Sequence, residues 1–507
     1  MSMSAPSKDS APAARGTMRW PHAGRAVWTV LLCALVGCAV GPNFHRPDPP
    51  TATHYANGAD PESTVSAQGT AQKFDRDARV DADWWHLFQS PQLDAVIREA
   101  RARNPGLAAA QASLRASQDN LRSGYGIFFP SVDGDVGAVR ERYSPVALGQ
   151  HAPSSLFNLF TLSSSVSYAL DVFGGQRRLV EGLHAEVDVA RADAQATYLS
   201  LETNVANTVI AAAAYRAEIA ATQQLIELQK QQVDIANVQA QAGTVPYSNV
   251  LSLKSQLASY EAMIPQFEQK LAQSDDLLAA LAGHVPAEWS APSVRLNDIV
   301  LPERLPVSVP SDLIKQRPDI LAAEATAHAA SANIGVATAA MLPSVTLSGG
   351  VGAATTNLSN LVPANGHSWS VGANATAPLF QGGTLWFKRK AAVDDYQQAM
   401  ALYRQVVLGA FEQVADTLRA LDHDARILAA QDEALSTASE ALRLVQTNYR
   451  AGIATYLDVL VADTQFHQAQ LADLQAIATR YQDTVALYAA LGGGWWNAVQ
   501  NGATTNP

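Results

Sequence analysis

Cysteine is nearly absent: the 507 residues hold two, Cys33 and Cys38. Cys33 lies inside an apolar run that reads as cleaved, so one thiol at most stays with the folded chain and no intramolecular disulfide can brace it. Beyond residue 37 no apolar run reaches the roughly 20 residues of a transmembrane helix. Any membrane crossing must then be made by strands. Basic charge is also short: 35 Lys and Arg against 46 Asp and Glu give −11, and removing the four basic residues and one acidic residue of 1–37 leaves −14. With no basic stripe to offset it, nucleic acid is excluded as a partner. HExxH, CxxC and P-loop patterns are missing, and Gly349-Gly350-Val351-Gly352 reads as the small face of a strand, not a phosphate cradle. Asp422-His423-Asp424 places consecutive residues on different helix faces, which reads as solvated surface instead of a metal site. With only six Met and an isolated Leu183-His184-Ala185-Glu186, nothing argues for copper handling. Nothing points to an enzyme or to a metal.

What is present begins with a secretion signal over 1–37. Arg15, Arg19 and Arg25 precede the apolar run from Ala26 to Val36. Leu35-Val36-Gly37-Cys38 resembles a bacterial lipobox, so Cys38 is expected as the first mature residue, bearing a diacylglycerol and an N-acyl lipid. Ala39, where Asp would favour inner-membrane retention, leaves the outer membrane open. Met18 is an alternative start with the same mature product. A Pro-rich leader spans 38–82, with Gly41-Pro42-Asn43-Phe44 followed by Pro47, Pro49 and Pro50, and reads as irregular to about residue 80.

The remaining chain says the same thing twice, over 83–300 and 301–494, with 495–507 as a tail. Arg103-Asn104-Pro105 returns as Gln316-Arg317-Pro318, and Phe129-Pro130-Ser131 as Leu342-Pro343-Ser344, both 213 residues on. Ala242-Gly243-Thr244 returns as Ala451-Gly452-Ile453 at 209, and Leu281-Ala282-Gly283 as Leu491-Gly492-Gly493 at 210. A repeat this long is a duplicated half-protein.

In each half the spacing predicts one very long helix, about 176–241 and 384–450. Tyr198, Leu201, Val205, Thr208, Ala212 and Tyr215 open a period near 3.5 that continues to Ala240, and Tyr396, Met400, Tyr403, Val407 and Ala410 repeat it. At 1.5 Å per residue each spans about 100 Å. Gly243 and Gly452 read as helical-hairpin turns. Pro265, whose counterpart is Leu474, predicts a kink in the first return helix only.

Four period-two segments complete the pattern: 132–140, 160–172, 345–352 and 368–379. Phe160, Leu162, Val166, Tyr168 and Leu170 alternate with Thr161, Ser163, Ser165 and Ser167, and Trp369, Val371, Ala373 and Ala375 with Ser370, Gly372 and Asn374. One apolar face and one small polar face is the pattern of a membrane-barrel strand. Four strands cannot close a barrel, and open edges in lipid leave backbone groups unsatisfied. Two copies would supply eight strands and three would supply twelve; the larger readily encloses water.

At this point the chain resembles the TolC/OprM family of outer-membrane efflux channels, in its lipoprotein (NodT-like) branch. The likeness rests on Cys38 and Gly41-Pro42-Asn43-Phe44, Trp84-Trp85, Asn104-Pro105, Phe129-Pro130-Ser131, Asp171-Val172-Phe173-Gly174-Gly175, Gln316-Arg317-Pro318-Asp319, Tyr449-Arg450-Ala451-Gly452 and Leu487-Tyr488-Ala489-Ala490-Leu491-Gly492. The resemblance implies a mixed α and β membrane protein: a homotrimer with a twelve-stranded β-barrel, four strands per chain, continuous with a long periplasmic α-helical coiled-coil barrel. It implies an outer-membrane site with most of the chain in the periplasm. The partners it implies are a periplasmic adaptor (membrane fusion) protein and an inner-membrane RND-type pump that passes small molecules, drugs or toxic compounds among them. It also implies a periplasmic gate, with Asp458 lining the constriction and Tyr449 holding it shut. A second family Asp falls on Val461, and Asp463 lies nearby on another face. The plainer reading of Asp458 is a helix N-terminal carboxylate favoured by the dipole. Two rival functions share some features: an exit duct for type I protein secretion, and a structural surface coiled-coil lipoprotein.

Overall fold

The computed structural model describes residues 39–57, 60–76, 78, 80–144, 149, 153–362 and 367–498. The signal segment, Cys38 and the end of the tail lie outside the described residues. In chain order the elements are β1 (Lys73–Asp75), α1 (Pro91–Arg103), α2 (Pro105–Tyr125), β2 (Ser131–Tyr143), β3 (Ser155–Leu170), α3 (Gly175–Gln241), α4 (Tyr247–Glu261) and α5 (Ile264–Leu281). Then come β4 (Arg304–Pro306), α6 (Pro310–Gln316), α7 (Pro318–Ala339), β5 (Ser344–Thr355), β6 (His367–Thr376), α8 (Thr384–Arg450), α9 (Tyr456–Ala490) and α10 (Trp495–Ala498). The duplication is thus structural: α1, α2, two strands and a 67-residue helix α3 are answered by α6, α7, two strands and a 67-residue helix α8. Two compact units divide the chain.

The first unit, residues 127–178 and 335–387 with the chain up to Gly41, holds one antiparallel sheet in the order β2-β3-β5-β6. Register decides its character. Val132 faces Val166, which faces Gly349, which faces Val371. Val136 pairs with Leu162 and Leu162 with Ala353, while Tyr168 pairs with Leu347 and Leu347 with Ala373. Because side chains alternate along a strand, the apolar sets of all four strands share one face. Asp133, Ser165, Gly350 and Ser370 share the other. Among the described residues no second layer covers the apolar face: Val132, Val136, Trp369 and Val371 are all exposed. β3 stops at Leu170, short of the expected 172, where Asp171 turns the chain by accepting the Gln176 and Arg177 amides, and β6 stops at Thr376, short of the expected 379.

The second unit, residues 42–126, 179–334 and 388 onward, is helical. Pro91, Pro105, Pro310 and Pro318 each open a helix, where a missing N–H costs nothing. Asn104 caps α2 by accepting from the Leu107 amide at 3.0 Å while its own amide reaches Leu281 O. The main core gathers Trp84, Trp85, Phe88, Leu93 and Ile97 against Val205, Val209, Leu418, Val485 and Tyr488. Trp84 stacks on Tyr488 at 5.3 Å, joining the start of one repeat to the end of the other. Both seams are small and buried as the period predicts: Val205, Ala212 and Thr222 on α3, Ala410 and Val414 on α8. The expected break occurs at Ala262-Met263, with Pro265 in the first turn of α5, whereas α9 runs 35 residues unbroken. The leader is more regular than its composition predicts. Residues Lys73–Asp75 pair in parallel with Arg304–Pro306, a partner more than 200 residues away that no local pattern announces. Among the described residues no helix is long and apolar enough to cross a membrane, and no group of three metal-ligating side chains occurs.

Candidate functional site at the helical turns

Each long helix ends in the same way. Gly243 takes φ +74°, its N–H donates to Ala240 O at 3.0 Å, and the Thr244 N–H reaches back to Gln239 O at 3.0 Å. Gly452 takes φ +76°, donating to Tyr449 O at 3.0 Å, and Ile453 reaches Asn448 O at 2.9 Å. Both are Schellman turns, which need a left-handed residue after the last helical turn. A β-carbon at either Gly meets nothing within 4 Å, so conformation and not space demands glycine there.

Past the second turn, Asp458 forms a capping box. Its carboxylate accepts from the Thr455 amide at 2.8 Å and the Thr455 hydroxyl at 2.6 Å, while Thr455 Oγ1 accepts from the Asp458 amide. These bonds hold its carboxyl below the usual range, and the side chain is open to solvent. The first hairpin has no such device; Pro246 precedes α4 without a side-chain cap. Tyr449 lies on the last turn of α8 and donates to Gln239 Oε1 on the last turn of α3 at 3.3 Å, linking the two long helices. Its ring also meets Tyr456 edge-on at 6.3 Å.

Two residues near this end carry a chemistry that spacing alone undervalues. Asp463 is 2 % exposed and His467 3 %, one helical turn apart on α9. The Tyr260 hydroxyl donates to Asp463 at 3.4 Å, and its ring meets His467 edge-on at 5.1 Å. Burial pushes Asp463 up to about 6 and the imidazole down, each toward its neutral form. The i, i+4 spacing was the available signal; what it lacked was the apposed helix α4. Asp424 requires a correction: it is buried, not solvated surface, with only Asp422 and His423 of that triplet toward solvent. Burial first, and Asp483 beside it second, raise its carboxyl.

A family model described as outer membrane efflux protein matches residues 96–284 and 309–493, one match per repeat. The chain belongs to that family. The pyoverdine export outer membrane protein OpmQ of Pseudomonas putida is 30 % identical over 422 residues, covering 82 % of this chain and 89 % of the relative. The outer-membrane channel OprN shares 27 % identity at a TM-score of 0.82, across 90 % of this chain and all of that one. VceC of Vibrio cholerae shares 28 % at 0.76, across 82 % and 99 %. This efflux protein is therefore an outer-membrane channel and not an enzyme, and its long helices are the periplasmic part. Cys38, the expected lipid anchor of the channel, lies outside the described residues.

Proposed function

We propose that three copies of the chain close a twelve-stranded barrel and a shared helical tunnel, anchored by acylated Cys38. The assembly serves as the exit duct of a tripartite system with a periplasmic adaptor and an RND-type pump, for small molecules. The observation that carries this is the sheet register. One face carries the apolar sets of all four strands, interrupted by Ser164 and, toward the β2–β3 turn, by Arg140, Arg142 and Asn158. The other is lined by Asp133, Asp135, Ser163, Ser165 and Asn374, while among the described residues β2 and β6 each leave one edge unpaired. Unpaired edges are not tolerated in lipid, and four strands are too few to close. Pairing β2 of one copy with β6 of the next satisfies both.

At the turns, Asp458 supplies a solvent-facing carboxylate that stays ionised, and Tyr449 supplies a bond between neighbouring long helices. Three copies of Asp458 would repel one another and draw cations into the closed end. Cross-linking tagged protein in its native cells and identifying its partners by mass spectrometry tests the assembly: an adaptor with a proton-driven pump supports the reading, and an ATP-driven exporter replaces small-molecule efflux with protein secretion. Asp458→Ala should raise single-channel conductance and weaken cation preference. Unchanged values remove it from the gate.

A further inference from the structure

Within the strand unit the first described residues of the leader, Ala39 to Gly41, lie in a slot that the turn after β3 does not itself require. The Val40 amide donates to Phe173 O at 3.0 Å. Arg178, only 4 % exposed, donates from Nε to Val40 O at 3.2 Å and from Nη2 to Gly41 O at 3.5 Å. Two glycines make the room. At Gly174, φ +77°, a β-carbon would stand 2.5 Å from Ala39 Cα; at Gly335 it would stand 2.6 Å from Arg178 Cγ and 2.9 Å from Val40 O. A third close approach, Gly175 to Ala339 Cβ at 2.8 Å, brings the first turn of α3 against the end of α7.

The duplicated half provides an internal control. Its turn keeps the backbone, with Gly383 at φ +84°, but a β-carbon on Gly383 meets only the Phe387 ring, and one on Gly382 meets nothing. Phe387 stands where Arg178 stands and is exposed, and Arg122 stands where Gly335 stands. The strand-to-helix turn therefore forms without these residues, and the slot serves the leader.

We propose that Gly174, Gly335 and Arg178 form a seat for the first residues of the mature chain, which fixes the acyl chains of Cys38 at the Leu170–Val345 end of the sheet. One peptide separates Ala39 from the acylated residue in the sequence, about 3.8 Å between Cα atoms. The proposal rests on the lipid-anchor reading. The ligand is this chain's own diacylglycerol and N-acyl group, and the seat acts by position, through backbone bonds that bring lipid and barrel strands into one leaflet.

The test labels full-length protein in cells with an alkyne-bearing palmitate analogue that carries a diazirine near its carbonyl, followed by irradiation and peptide mapping. Adducts should concentrate in residues 164–173 and 344–350. Gly335→Leu, and the milder Arg178→Gln, should each reduce them about tenfold, as expected for losing a charge-assisted bond or its space, with Cys38 labelling and outer-membrane yield unchanged. Adducts elsewhere, or undiminished in both variants, overturn the proposal. A disulfide between Val40→Cys and Phe173→Cys separates the seat from the lipid. Label missing from Cys38 ends the anchor reading and the acyl placement with it. Loss of the disulfide in Gly335→Leu would still support the seat, and its persistence would refute it.

Discussion

The two helical hairpins share one plan and are held by different side chains. In the first, Asp275 on α5 meets Arg216 on α3 at 2.8 Å, and Lys270 lies over the Tyr215 ring at 5.5 Å. At the equivalent places in the second, 209 residues on, Arg216 becomes Ala425, Lys270 becomes Thr479 and Tyr215 becomes Asp424, while Ser274 becomes Asp483. Burial and Asp483 together raise Asp424, and Asp432 adds to burial in raising Asp473 further along α9. The first seam sets a cation against its carboxylate, although burial raises Asp275 as well, whereas the second sets Asp424 beside another carboxylate, with the buried Arg480 nearby, and leans more on protons. Duplication preserved helix length and turn geometry, which depend on glycine, proline and period; it did not preserve seam chemistry, which any mutually compatible set of side chains can satisfy.

The largest effect should come from removing what both hairpins share. Trp84→Ala empties a fully buried site stacked on Tyr488 and should cost about 3–5 kcal/mol, lowering hydrogen-exchange protection in both repeats alike. Protection lost from one repeat alone would show that the halves do not share a core.

Asp424→Asn sharpens the contrast. At pH 8 it should stabilise the second hairpin by about 1–2 kcal/mol, the scale of a buried polar group relieved of a poor partner, and at pH 5 it should do little. The sign follows from linkage. A carboxyl with a raised folded pKa contributes stability that is full below its unfolded value and is lost as pH rises through the folded one. Asp424, Asp463 and Asp473 act in this direction, Asp463 through about 6. His467, lowered by burial, acts the other way, losing its contribution as pH falls. Asp275 in the first hairpin is raised by burial too, but Arg216 opposes the shift. Three carboxyls against one imidazole in the second therefore predict that exchange over 456–490 speeds up between pH 5.5 and 8 more than exchange over 247–281. Equal acceleration in both segments would contradict the proton-held seam.

His467→Leu should raise thermal stability by about 1 kcal/mol instead of costing it, because both ring nitrogens are buried without a hydrogen-bond partner. A loss would mean that the imidazole is satisfied in the assembled protein. The smallest effect belongs to Thr455→Ala, which removes a capping box that α4 lacks and should cost about 1 kcal/mol by chemical denaturation.

Period and punctuation made much of this molecule legible. The 3.5-residue seam, Gly243 and Gly452, and alternation in four segments located α3, α8, both turns and the strands, and Pro265 located the one broken helix. The same rules misread Asp424 and undervalued Asp463 and His467, because a polar residue on a helix reads as solvated until the helix that covers it is known. The β1–β4 pair was invisible for a related reason: three residues carry no period, and their partner is far along the chain.

By itself the sequence determined the repeat, the length of each element, the turn positions and the two-faced strands, since these follow from local backbone preference and from the spacing of side chains on one element. Only the tertiary structure decided which helix buries Asp463, that Arg178 closes over Val40 and Gly41, and that all four apolar strand faces fall into one register. Each of those depends on which distant segment packs against the residue, and burial energy is settled by that neighbour.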